Sequence, residues 1–90
     1  MYKIIFTKKF TKNFEKRISK KLKPKVDAII RRLEKWPPFE KQYNVHQLQW
    51  GYYPYYSINL TGDIRIIFDI DRQNKKIYLL DIWTHSQLYR

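Results

Sequence analysis

The spacing of hydrophobic residues predicts helices in the first part of the chain and strands after them. In the first segment apolar side chains recur every four residues, with lysines between them: Phe6, Phe10, Phe14 and Ile18. This spacing is typical of the buried stripe of an amphipathic helix. Either Thr7 or Thr11 could cap the start of that helix, since both carry a hydroxyl that can accept from the free amides of a first turn.

A second helix is predicted to begin near Pro24, because proline suits the first helical turn. Its buried face has the 3-4-3 spacing of a core-facing helix: Val26, Ile29, Ile30 and Leu33. It should end at Trp36, which precedes two prolines and therefore avoids helical geometry. The two helices would form a hairpin.

Alternating or continuous apolar runs elsewhere predict strands. They cover residues 2–6, 45–48, 55–60, 64–70 and 76–83, with a polar turn at 71–75. The last run is apolar on both faces, which suits an interior strand. The order β-α-α-β-β-β-β predicts one α+β domain over residues 1–90. In it, the N-terminal helical hairpin packs on one face of a small twisted, mostly antiparallel sheet.

The hairpin of residues 55–70 gives the first indication of a site. If its turn is the three-residue loop Thr61-Gly62-Asp63, Asn59 pairs with Arg65 and Ile58 with Ile66. A two-residue loop would place Arg65 among the core residues, so three are expected. Arg65 then lies beside Asn59 and near Asp63, on the sheet face opposite the helices, which is predicted to be uncovered.

Charge narrows the class of partner. The chain has 19 Lys and Arg against 8 Asp and Glu, a net charge of +11. Up to residue 25 there are ten basic residues and only Glu15 is acidic. Such a surface favours a polyanionic partner, which could be RNA, DNA, an acidic protein or an anionic membrane surface, although a solvated lysine face is the alternative.

Composition also excludes several classes. Without cysteine there is no disulfide, no thiolate nucleophile and no usual structural zinc site, and two histidines are too few for most histidine metal sites. No apolar run approaches a membrane span and no secretory leader is apparent, so a cytoplasmic protein without cofactor or membrane contact is expected.

Proton-transfer groups and an anion clamp could converge on the open face. The candidates are His46, Asp63, Arg65, His85 and Tyr89. An acid, a base and an arginine fork on a phosphate suffice for metal-free RNA cleavage. Tyrosines could stack on unpaired bases: Tyr52, Tyr53, Tyr55 and Tyr89. Simpler roles stay open, because Arg65 could pair with Asp63 or Asp69, and Asp63 is also an ordinary turn residue.

Several segments together resemble a known family. They are His46-x-Leu48, Tyr56-Ser57-Ile58, Arg65-Ile66-Ile67-Phe68 and the tail Asp81-Ile82-Trp83-Thr84-His85-Ser86-Gln87-Leu88-Tyr89. Nearly the whole chain is similar to the RelE/ParE superfamily of type II toxins, and most of all to its YafQ-like mRNA interferases. The resemblance implies a RelE-like fold and ribosome-dependent cleavage of mRNA that inhibits translation.

The resemblance also implies roles for individual residues. His85 matches a proton-transfer group, and His46 and Asp63 match the other acid/base candidates. Arg65 matches the residue that binds the phosphate, and Tyr89 matches the aromatic that positions RNA. RNA contact is further expected from Asn59 and from the lysines Lys8, Lys9, Lys12 and Lys16. Two positions depart from the family: Asn59 stands where YafQ has a further histidine, and Trp83 replaces a glycine.

The sequence therefore predicts a metal-independent endoribonuclease with no cofactor, whose partners are the ribosome, mRNA and a cognate antitoxin. That antitoxin is expected to be small, with a DNA-binding domain and an acidic segment. Two alternatives remain at this point: a ParE-like inhibitor of DNA gyrase, and a non-catalytic module of the same fold that binds nucleic acid or a partner.

Overall fold

A computed structural model of the chain describes residues 1–36, 43–52, 54–60 and 64–84. Within them the elements follow the predicted order: β1 (Lys3–Phe6), α1 (Lys8–Arg17), α2 (Lys23–Leu33), β2 (His46–Gln47), β3 (Tyr56–Asn59), β4 (Ile64–Asp71) and β5 (Lys76–Thr84). A single 3-10 turn, Trp50–Tyr52, lies between β2 and β3. The α+β class is confirmed, and the boundaries shift by one to three residues.

Both helices begin where local chemistry favours a start. Thr7, not Thr11, caps α1, since its Oγ1 accepts a hydrogen bond from the amide of Phe10 at 3.2 Å. Pro24 occupies the first turn of α2. The end of α2 was predicted at Trp36, but the helix ends three residues earlier, at Leu33.

The five strands form one sheet in the order β1-β5-β4-β3-β2. β1 runs parallel to β5, whereas the other three neighbouring pairs are antiparallel. The sheet is therefore mostly antiparallel, as predicted, and β5 is an interior strand. The predicted register of the hairpin is also confirmed, because Asn59 pairs with Arg65 and Ile58 with Ile66.

The core lies between the two helices and one face of the sheet. The helices contribute Phe10, Ile18, Val26, Ile29, Ile30 and Leu33, and the sheet contributes Ile58, Ile64, Ile66, Phe68, Ile77, Leu79 and Ile82. The prediction for Phe6 was wrong, since its side chain is 53% exposed. Phe6 ends the edge strand β1 and precedes the cap of α1, so it does not belong to the helical stripe.

A β-bulge changes the facing of side chains along β5. Ile67 pairs with Asp81 but Phe68 pairs with Leu79, which leaves Leu80 as an extra residue. Ile77, Leu79 and Ile82 are consequently all buried, although their spacing is two and then three residues. Asp81 pairs with Ile67, which is on the face of β4 that also carries Arg65, and its carboxylate nevertheless meets α1 through Asn13.

None of the helices in the described residues is long and apolar enough to cross a membrane.

Candidate functional site

Arg65 is held in place by its cross-strand neighbour. Its Nε donates a hydrogen bond to Oδ1 of Asn59 at 3.1 Å, and its side chain is half-buried. Within the described part of the chain no carboxylate forms an ion pair with Arg65. Oδ1 of Asp69 instead accepts from the backbone amide of Ile70. Of the two simpler partners considered, Asp69 is excluded, and Asp63 lies outside the described residues.

His46 lies on the same face of the sheet as Arg65. It pairs with Ser57, which pairs in turn with Ile67, and directly opposed residues share a face. The Cα atoms of His46 and Arg65 are about 12 Å apart, because the two residues are separated by two strand spacings and by two residues along β4. A phosphate between the two positions is therefore within reach of both side chains.

One ring nitrogen of His46 is committed to the backbone. Its Nδ1 lies 2.8 Å from the carbonyl oxygen of Asn44, whose backbone is left-handed with φ 45°. Because a carbonyl only accepts, Nδ1 carries the hydrogen, and in the neutral ring Nε2 is the proton acceptor. The side chain is exposed, so this nitrogen is available to a substrate.

The face that carries these residues is not uncovered, and that part of the prediction was wrong. Ser57 is fully buried and Ile67 is 3% exposed. Ile67 lies in a cavity also lined by Tyr52, Tyr55 and Trp83. The rings of Tyr52 and Trp83 meet edge to face with centroids 6.2 Å apart. The segment that links β2 to β3 therefore closes part of the face with aromatic side chains.

Asp81 is a buried carboxylate that the sequence pattern marked only as part of the tail motif. Its Oδ1 accepts from Nδ2 of Asn13 at 2.6 Å and from the amide of Ile82 at 2.8 Å, and its Oδ2 lies 3.4 Å from Nζ of Lys9. The available signal was a lone acidic residue in an apolar strand, together with an asparagine that interrupts the apolar side of α1. These contacts join α1 to β5 beside the site.

The lysines predicted to contact RNA are all exposed on α1: Lys8, Lys9, Lys12 and Lys16. Lys9 and Lys16 are four and three residues from Asn13, so they share the side of the helix that meets β5. The one acidic residue of α1, Glu15, forms an ion pair with Lys23 at 3.2 Å. Lys9 and Lys16 therefore place positive charge on the side of α1 that borders β5.

The remaining predicted site residues lie outside the described residues: Asp63, His85, Tyr89 and Tyr53. In the described ranges, no group of three or more His, Asp or Glu side chains is arranged to hold a metal ion. The structure thus brings Arg65, Asn59 and His46 to one face of the sheet, and Lys9 of α1 approaches that face through Asp81.

Solved structures with the same fold come from bacteria and an archaeon. A copper-bound mutant toxin from Helicobacter pylori has a TM-score of 0.81 at 22% identity, covering 99% of this chain and 100% of that one. The YafQ of the E. coli DinJ-YafQ complex has a TM-score of 0.78 at 19% identity, covering 100% of both chains. The archaeal RelE-RelB complex from Pyrococcus horikoshii has a TM-score of 0.77 at 20% identity, covering 96% of this chain and 97% of that one.

At these identities the likeness establishes the fold, which is RelE-like as predicted. No protein of curated function matches the sequence significantly. The family described as "Bacterial toxin of type II toxin-antitoxin system, YafQ" matches residues 2–90, nearly the whole chain. The chain therefore belongs to the YafQ family of bacterial toxins of type II toxin-antitoxin systems.

Proposed function

We propose that this toxin is a ribosome-dependent endoribonuclease that cleaves mRNA by acid/base catalysis without a metal ion, and that it inhibits translation in the cytoplasm in this way. The observation that supports this most is the state of Arg65. Its guanidinium is oriented by Asn59 and meets no carboxylate among the described residues. A positioned, half-buried cation without a counter-charge is suited to a phosphate.

The reaction needs one base and one acid around that phosphate. His46, whose Nε2 is the free acceptor, removes the proton of the 2′-hydroxyl, and O2′ then attacks the adjacent phosphorus. Arg65 stabilises the negative charge that develops on the phosphoryl oxygens. The bond from phosphorus to O5′ breaks as an acid donates a proton to O5′, which leaves a 2′,3′-cyclic phosphate and a 5′-hydroxyl.

The acid in this scheme is His85 or Asp63, and Tyr89 positions the RNA. These three assignments come from the resemblance to the family and stay predictions. Metal independence is likewise a prediction, and one of the structures with this fold is a copper-bound toxin. A chelator selective for transition metals should leave cleavage unchanged. Loss of cleavage that copper restores would contradict this part of the proposal.

The exposed lysines of α1 supply the attraction to ribosomal RNA. Each phosphate contact formed by a lysine releases counterions, so binding should weaken with salt. We expect the double substitution Lys12→Glu and Lys16→Glu to weaken ribosome binding and to lower its salt slope by about one unit per lysine. The control is Lys25→Glu with Lys35→Glu, since these exposed lysines lie outside α1. Equal losses in both variants would indicate only a non-specific effect of net charge.

A type II toxin is paired with a cognate antitoxin, and two of the structures with this fold are toxin-antitoxin complexes. For this chain we infer a small antitoxin with a DNA-binding domain and an acidic segment. Complementary charge would direct that segment to the lysines of α1 and to Arg65. It would inhibit by covering the groups that bind RNA.

The decisive experiment compares two arginines at opposite ends of β4. Induced expression of the wild-type toxin should arrest growth, and primer extension on ribosome-bound mRNA should show cuts within codons. Arg65→Ala should lower cleavage by about 10²–10³-fold, the usual loss when one charge-stabilising donor is removed. Arg72→Ala is the control, because Arg72 lies in the turn after β4, where it bonds the hydroxyl of Tyr56.

Two results would overturn the proposal in different ways. DNA breaks with intact mRNA would indicate the gyrase inhibitor that the sequence left as an alternative. Growth arrest unchanged by Arg65→Ala together with His85→Ala would refute the catalytic mechanism and favour a binding module.

A further inference from the structure

A second feature of the same face is a cavity of about 360 Å³ beside Arg65. Trp83 forms one of its walls and pairs directly with Arg65 across β4 and β5. Tyr52 and Tyr55 form further walls, and Ile67 is also among the residues that line it. We call it the Asp81 cavity, after the carboxylate described above. None of the catalytic roles proposed above uses it.

The Asp81 cavity combines flat apolar walls with one anionic acceptor. Oδ1 of Asp81 is already occupied by Asn13 and the amide of Ile82. Among the described residues, the only contact of Oδ2 is that of 3.4 Å with Lys9, whose side chain is 72% exposed. Oδ2 is therefore the oxygen that can accept a hydrogen bond from a molecule in the cavity.

Trp83 supplies a flat aromatic wall of the same cavity. Its Nε1 has no acceptor among the described residues, but this atom is closed to solvent and is therefore not offered to a bound molecule. The cavity thus favours a flat ligand that donates a hydrogen bond to a carboxylate.

We propose that the Asp81 cavity binds one nucleobase of the mRNA and prefers adenine, cytosine or guanine over uracil. The proposal rests on the endoribonuclease function above and specifies its substrate. The amino group of adenine, cytosine or guanine donates to Oδ2 of Asp81, and the flat base packs against the ring of Trp83. Uracil has a single N–H between two carbonyl oxygens, and these would face the carboxylate unfavourably.

The distances and the charges favour RNA over protein as the occupant. Residues paired across strands are about 5 Å apart, so a base beside Trp83 belongs to a nucleotide next to the phosphate on Arg65. Stacking on aromatic side chains contributes about 1–3 kcal/mol per base. An acidic antitoxin segment, in contrast, would bring further carboxylates towards Asp81.

The test uses nuclear magnetic resonance of the ¹⁵N-labelled full-length toxin, and it needs neither ribosomes nor cleavage. The chain has three tryptophans, so Trp83→Phe identifies the indole signal of Trp83 by its loss. The side-chain amide of Asn13, which bonds Asp81, is a second reporter. Titration with AMP, CMP and GMP should shift both signals at concentrations at least tenfold lower than titration with UMP.

Variants separate the two parts of the recognition. Asp81→Asn should abolish the preference against UMP, because an amide both donates and accepts. Tyr52→Ala removes an exposed wall and should weaken all four nucleotides by about fivefold or more. Tyr52→Ala also serves if Asp81→Asn does not fold. Tyr78→Ala on β5 is the matched control, since Tyr78 is outside the cavity lining. It should change neither the nucleotide affinities nor the preference against UMP.

Equal responses to UMP and AMP would overturn the base preference. No response to any nucleotide would overturn the site itself, even if a peptide of the antitoxin shifts the Trp83 signal. The two proposals fail separately. If the toxin binds nucleotides as described but leaves mRNA intact, the endoribonuclease function is refuted and the nucleobase site stands. If the toxin cuts mRNA but shows no nucleotide response, the nucleobase site is refuted and the endoribonuclease function stands.

Discussion

Thr7 connects the start of α1 to the bulged part of β5, and its removal should show how much this junction contributes. Its Oγ1 accepts from the amide of Phe10 at 3.2 Å and donates to the carbonyl of Leu79 at 2.7 Å. The substitution Thr7→Ala removes both bonds at a half-buried position and leaves the backbone in place. Thr11→Ala is a matched control, because Thr11 is exposed one turn further along the same helix.

The expected loss follows from the two bonds. A helix N-cap contributes about 1 kcal/mol, and a further intramolecular hydrogen bond contributes about 1 kcal/mol. The sum of about 2 kcal/mol is an upper value, because the carbonyl of Leu79 also accepts from the amide of Thr7 at 3.3 Å. For a domain of 90 residues this corresponds to a fall in Tm of roughly 8–16 °C. Thr11→Ala should be neutral or slightly stabilising, since alanine has the higher helix propensity.

Urea unfolding followed by circular dichroism measures the free energies directly, and thermal melts give the Tm. Thr7→Ser should recover most of the stability, because serine keeps the hydroxyl. If Thr7→Ala and Thr11→Ala differ by less than about 0.5 kcal/mol, the two bonds do not stabilise the junction, and Thr7 does not anchor α1 to β5.

Two further outcomes are expected. Phe10→Ala should lower the free energy of unfolding by about 3–5 kcal/mol, because the side chain of Phe10 is only 1% exposed. Phe6→Ala should have a much smaller effect, because Phe6 is 53% exposed. Equal losses in urea unfolding would contradict the assignment of Phe6 to an edge strand. Asn74 donates through its side chain and backbone to Asp71 and thereby lowers the pKa of that carboxyl. Asn74→Ala should therefore raise the pKa of Asp71 towards the ordinary aspartate value in a carbon-detected titration, and an unchanged pKa would refute the cause. Because the folded pKa is lowered, the associated stability is present above the ordinary value and is lost as the pH falls through the lowered one.

Much of the fold follows from periodicity, because burial imposes it directly. The change from a spacing of four to alternation separates α1 and α2 from the strands. The pairing of Asn59 with Arg65 follows from loop length, since a slip of one residue would bury the guanidinium. This pairing was the part of the candidate site that the sequence could define geometrically.

The bulge in β5 could not be derived from the sequence. Counted from Ile77, strict alternation places Asp81 in the core, whereas counted from Ile82 it places Asp81 on the other face. The strand therefore looked apolar on both faces, and the carboxylate received no role. Only the pairing with β4, which skips Leu80, resolves its direction.

The closure of the open face depends on contacts distant in sequence. Tyr52 reaches Trp83 over 31 residues, and no local pattern encodes such a contact. The prediction for Phe6 failed for the opposite reason. The four-residue spacing of the helix continues by coincidence to Phe6, although this residue belongs to β1.

The parallel pairing of β1 with β5 has a consequence for the synthesis of this toxin. β1 finds its neighbour only when β5 has been made, since Lys3 pairs with Lys76 and Phe6 with Leu79. Pairing so distant in sequence forms late, because a long loop must close first. A chain that ends before β5 therefore lacks both this interior strand and the anchor of α1. Toxicity should begin only once translation has passed β5, and a stop codon before the end of β5 should silence it.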